Sequence, residues 1–171
     1  MRKMLGSCIS VVCVILFFTG STGFAQDDID RHRSCSYCGM DRAKFAHSRV
    51  LIEYDDGTQM GACSIHCAAV DMAVNIDKTP VSIQVGDFNT KELIDAEPAV
   101  WVIGGDRMGV MTKRAKWSFA DKAGAEAFIK EHGGQLADFE TAAKASYEDM
   151  YHDTRMIREK RKMMRMKKSA Q

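Results

Sequence analysis

Four cysteines in two tight pairs, Cys35-x-x-Cys38 and Cys63-x-x-x-Cys67, constrain this chain more than any other feature. Spacings of three and four residues let both sulfurs of a pair face one point. A fold that accepts them must bring the pairs together around an ion, or bridge them as disulfides. The compartment bears on that choice. Arg2 and Lys3 precede an apolar run over residues 9–18, which is signal-peptide length and short for a membrane span. Gly23 and Ala25 set small residues at the −3 and −1 positions, so cleavage is expected after Ala25. An uncleaved membrane anchor is the alternative. Cys8 and Cys13 leave with such a leader, and Leu5-Gly6-Ser7-Cys8 is read as a chance match to a lipoprotein box, because the apolar run follows it. An exported chain with four cysteines would by default carry two disulfides. Only the neighbouring residues can argue otherwise.

The organisation expected after the leader is α+β. Residues 26–34 are polar and charged and read as a flexible arm. Residues 48–54 are rich in β-branched side chains, Asp55-Asp56-Gly57 signals a turn, and residues 58–64 return, which makes a hairpin with Cys63 at its end. Residues 65–76 suit a helix with Ser64 as N-cap, and residues 81–87 read as a strand. A similar order follows: strand 99–103, a turn at Gly104-Gly105-Asp106, strand 116–119, a helix capped by Asp121 and ended by Gly133-Gly134, and strand 135–139. Two modules of like strand-strand-helix-strand topology are therefore expected, over residues 35–90 and 91–140. Residues 141–171 form a C-terminal helix grading into a Met-rich basic tail, with +6 from residue 153 onward. The whole chain carries +1, and −1 without the +2 of the leader, so no nucleic-acid partner is expected.

The residues around the cysteines favour a soft metal. Cys35-Ser36-Tyr37-Cys38-Gly39-Met40 adds a turn-forming glycine and a thioether to a thiol pair. A thioredoxin-like dithiol would follow a strand and open a helix, and this pair does neither. In Met60-Gly61-Ala62-Cys63-Ser64-Ile65-His66-Cys67, Cys67 falls in the first helical turn, where backbone amides favour thiolate. His66 is a candidate imidazole ligand, or else a solvent-facing helix residue. Four thiolates alone would suit zinc, whereas copper(I) also accepts thioether and imidazole. Twelve methionines is a high count. Met72 lies in a helical pattern and reads as packing, but Met108 and Met111 bracket a glycine turn and are candidates for binding or transfer. On a helical tail, His152 and Met156 would share one face and Met163 and Met166 another. The tail's charge offers weak contact to an acidic membrane surface or an acidic partner.

The Cys35-x-x-Cys38-Gly39-Met40 segment, the hairpin leading to Cys63, the stretch from Trp101-Val102-Ile103-Gly104-Gly105 to Met111, and the stretch from Phe119-Ala120-Asp121-Lys122 to His132-Gly133-Gly134 together resemble the NosL family of nitrous-oxide reductase accessory proteins. The resemblance spans roughly residues 34–150. It implies an exported, periplasmic copper(I)-binding protein of two small α+β modules. It also implies a non-enzymatic chaperone that uses the Cys-Gly-Met segment to supply apo nitrous-oxide reductase, with a membrane copper transporter as a further partner. The pair Cys63 and Cys67, the Met-rich tail and the missing lipid-anchor cysteine depart from the family pattern and leave the client open. The metal site expected on these grounds comprises Cys35, Cys38, Met40, Cys63, His66, Cys67, Met108 and Met111. The competing readings are a structural zinc or heavy-metal-binding interaction protein and a thiol-disulfide enzyme. No Gly-x-Ser-x-Gly, His-Glu-x-x-His or P-loop motif is found.

Overall fold

The computed structural model describes residues 27–170; the leader expected over residues 1–25 lies outside them. A short helix α1 (Asp27–Arg31) precedes the hairpin β1 (Val50–Tyr54) and β2 (Gln59–Ala62). Helix α2 (Ile65–Val74) follows, then β3 (Pro80–Gly86) and β4 (Leu93–Asp95). The second half repeats the plan with β5 (Val100–Ile103), β6 (Lys116–Phe119), α3 (Lys122–His132) and β7 (Gln135–Ala137), and the chain ends in the long helix α4 (Phe139–Ser169). The sheets run β2-β1-β3-β4 and β6-β5-β7, with every pairing antiparallel. In each, a hairpin leads into a helix, and the next strand returns to pair with the first. This is the α+β plan of two like modules, with β4 as an addition to the first.

The segment expected to be a flexible arm is built into the first module. Asp28 is buried, and its carboxylate accepts hydrogen bonds from Arg42 Nη2 at 2.8 Å, Arg49 Nε at 2.9 Å and Arg49 Nη2 at 3.1 Å. Both guanidiniums are fully buried. Arg42 also donates to the backbone carbonyls of Asp28, His32, Val50 and Ala62, which sews α1 to the hairpin ahead of Cys63. Buried charges need partners of this kind.

The two modules share one core. Ile52, Val85, Trp101, Trp117, Phe119 and Phe128 belong to a single apolar cluster. The seam is hydrogen-bonded at the end of β3. Asp87 Oδ2 accepts from Asn89 N, Thr90 N and Thr90 Oγ1, while its Oδ1 accepts from Ala120 N at 2.9 Å. Phe88 N donates to Ser118 O at 2.8 Å, and Ser118 Oγ donates to Gly86 O at 2.8 Å. Helix α4 starts at the N-cap Asp138, which accepts from Thr141 N at 2.8 Å. It packs on α2 and β5 through the small residues Ala142, Ala145 and Ser146, a spacing of three and four that keeps one face against the core. No helix among the described residues is long and apolar enough to cross a membrane.

Candidate metal centre

The first thiol pair sits in a tight backbone loop. Cys35 N donates to Met40 O at 2.8 Å and Gly39 N to Cys35 O at 2.9 Å. Gly39 has φ +74°, and a Cβ there would meet nothing within 4 Å. The turn therefore selects glycine for backbone conformation and not for space. Ser36 N donates to Gly61 O at 3.1 Å, which clamps the loop to β2. Tyr37 Oη donates to Asp71 Oδ1 at 2.6 Å, which clamps it to α2; Tyr54 Oη and Asn75 Nδ2 bind the same carboxylate. Cys63 follows the last residue of β2, and Cys67 lies one helical turn further on in α2.

All four sulfurs lie within 4.8 Å of one another. Cys38 Sγ is 3.4 Å from Cys63 Sγ, and Cys63 Sγ is 3.9 Å from Cys67 Sγ. All four thiols are free. Cys35, Cys63 and Cys67 are buried, and Cys38 is the half-buried member. The site thus has one face open to exchange.

The electrostatics of the cluster follow from crowding. Hydrogen bonds from Cys38, Cys63 and Cys67 hold Cys35 far below the ordinary thiol range. Cys35 works against ionisation of Cys38, but hydrogen bonds from Cys63 and Cys67 leave it lowered. Hydrogen bonding to Cys35 and Cys38, with burial, pushes Cys63 and Cys67 up. Cys67, whose place at a helix start was expected to favour thiolate, is pushed up, while the loop cysteines Cys35 and Cys38 are lowered. Four thiolates at this separation repel strongly, and a bound cation is what would let all four ionise.

The other expected ligands divide. Met40 is half-buried against the apolar core and lines one groove with Cys38. Met108 is 82 % exposed, and Met111 packs partly against the core with φ 62°. With Cys38, these three methionines line a groove of about 710 Å³. His66 is buried and its Nδ1 faces Asp153 Oδ2 of α4 at 3.5 Å. Burial lowers its pKa while Asp153 opposes the shift. Neighbouring helical residues point about 100° apart, so Cys67 turning inward to the sulfurs sends His66 toward α4. Among the described residues, the sulfur cluster contains no imidazole.

The NosL family profile matches residues 26–147. The chain belongs to the NosL family. No curated protein matches it. Among solved structures it is similar to the copper chaperone NosL from Shewanella denitrificans, at 23% identity and a TM-score of 0.53, covering 66% of this chain and 90% of that one. The NosL match takes in the sulfur cluster and both sheets but stops within α4, before Met156 and Met164, which also line the groove. The tail methionines expected to pair were Met163 with Met166; in the structure Met164 shares the groove with Met156, eight residues and about two turns earlier. Asp28, Arg42, Asp71 and Tyr37, which hold the thiol-bearing segments in place, carry no metal-binding signature in the sequence.

Proposed function

We propose that the chain binds copper(I) at Cys35, Cys38, Cys63 and Cys67 with Met40 at the open face, and passes it to an exported cuproenzyme. The observation that carries this reading is the half-buried Cys38, which lines an open groove with the Met40 thioether while the other three sulfurs are buried. Soft sulfur donors select copper(I), and a ligand that solvent can reach allows release by ligand exchange. Membership of NosL and the likeness to the Shewanella denitrificans copper chaperone support copper handling; apo nitrous-oxide reductase is the client we propose and a membrane copper transporter the source. The role is then binding and delivery, not catalysis, in the periplasm.

A structural zinc site is the second reading. Its support is geometric: a metal–sulfur bond of about 2.3 Å gives a tetrahedral sulfur–sulfur edge of about 3.8 Å, close to the separations of Cys63 from Cys38 and Cys67. The deciding experiment is an anaerobic copper(I) titration of the reduced mature protein against a competing chelator, with zinc in parallel. Copper(I) should bind far more tightly than zinc and weaken more in Cys38→Ser than in Met111→Leu. Stoichiometric zinc binding of equal strength, indifferent to Met40→Leu, would favour the structural site. Transfer to apo nitrous-oxide reductase, followed by its copper-dependent absorption, tests the client.

A further inference from the structure

The groove at Cys38 has a wall that the thiol cluster leaves unused. Helix α4 lends it Met156, Ile157, Lys160, Arg161 and Met164, a stripe at helical spacing. Arg161 Nη2 donates to Cys38 O at 3.3 Å, which ties α4 to the thiol loop at this point. Met40, Met108, Met111, Met156 and Met164 therefore bring five thioethers into one cavity with a reachable thiol. Packing does not account for Met108 and Met164, which are 82% and 62% exposed, so their sulfurs add little to the core. The α4 wall lies beyond residues 26–147, the stretch that matches NosL.

We propose that Met156 and Met164 of α4, together with Met108 and Met111, hold a second soft monovalent cation in the groove beside Cys38 and load the thiol cluster from it. The loading role rests on the copper(I) reading above. Thioethers are neutral, so an ion held by them keeps its full charge. Lys113, Lys160 and Arg161 line the same cavity and repel it. The groove therefore binds more weakly than the anionic sulfurs, and the gradient runs inward to Cys38. Each step exchanges one sulfur donor for another. The Cys38 sulfur forms a bond to the ion as a thioether–metal bond breaks, any thiol proton goes to solvent, and copper stays copper(I).

The test uses the full mature protein, reduced and anaerobic, titrated with silver(I) as a redox-inert probe. Binding is read by calorimetry and by methyl resonances of 13C-methyl methionine. Wild type should show a tight equivalent and a weaker one, and the weaker one should shift the methyls of Met156 and Met164. The double variant Met156→Leu, Met164→Leu conserves volume. It should keep the tight equivalent and weaken the second by at least about tenfold, or 1.4 kcal/mol. Met150→Leu, outside the groove, should change neither. A second equivalent of undiminished affinity in the double variant, or wild-type methyls of Met156 and Met164 that stay unmoved throughout the titration, would overturn the site while leaving the copper(I) reading intact. The second of those outcomes is the one expected if the groove only docks a protein partner. A wild-type protein with no tight equivalent would overturn the copper(I) reading and with it the loading role.

Discussion

Asp28→Asn isolates the charge at the centre of the first module. Asparagine fills nearly the same space and keeps one acceptor oxygen. It removes the negative charge that faces two buried guanidiniums at 2.8 and 2.9 Å. Breaking a buried ion pair by removing one partner costs about 3–5 kcal/mol. Arg42 keeps its bonds to four backbone carbonyls, which places the expected loss at the lower end, about 3 kcal/mol. For a urea dependence of about 2 kcal/mol/M, the midpoint should fall by about 1.5 M. The assay is urea unfolding of the reduced, metal-free protein, followed by fluorescence of Trp101 and Trp117, each 2% exposed. Arg31→Ala is the control. It breaks the pair with Asp27, in which both side chains are about half exposed, and should move the midpoint by no more than about 0.3 M. If Asp28→Asn moved it no further than that, residues 27–34 would be a loose arm after all.

Two further outcomes can be checked on the same protein. Burial, aided by Lys91 and Arg107, lowers the His47 pKa below its ordinary 6.5, so the unfolded chain takes up the proton first on acidification. The stability that neutral His47 contributes is fully present above pH 6.5 and is lost as pH falls through the lowered folded value. The urea midpoint should drop between pH 7 and pH 5, and less steeply in His47→Leu; equal slopes would refute this assignment. Truncation after Asp149 removes Asp153, which accepts from Lys113 N at 3.0 Å and faces His66. That should cost about 1.5–3 kcal/mol and lower Tm by roughly 5 °C or more. Truncation after Glu159 should leave Tm unchanged, and identical melting of the two truncations would contradict the anchoring role of Asp153.

Most of the framework was legible because it follows from local pattern. Alternation and turn residues marked β1, β2, β3, β5 and β6, and the cap Asp121 and stop Gly133-Gly134 bounded α3 within a residue. The spacing of the cysteines was enough to propose that they meet. What escaped depends on partners distant in sequence. Strand β4 is three residues long and too short for a periodicity. The acidic start of α1 reads as solvated chain unless Arg42 and Arg49 are known to be buried against it. His66 looked like a ligand from its neighbours, and only the packing of α4 supplies Asp153. The C-terminal helix was expected to grade into a basic tail; from residue 139 to 169 the chain contains no glycine or proline, and a helix with nothing to stop it continues.

The hydrogen-bonded seam at Asp87 joins the two sheets, and unfolding as one cooperative unit is the expected consequence. A chain that melts in a single transition reports ligand binding anywhere as stability everywhere. An ion held by Cys35, Cys38, Cys63 and Cys67 at a hundred times its dissociation constant would raise the unfolding free energy by about 2.7 kcal/mol. Trp117, in the second module, would register that gain as fully as any residue beside the sulfurs. Occupancy of the sulfur cluster is therefore readable from the melting of a sheet that never touches the ion.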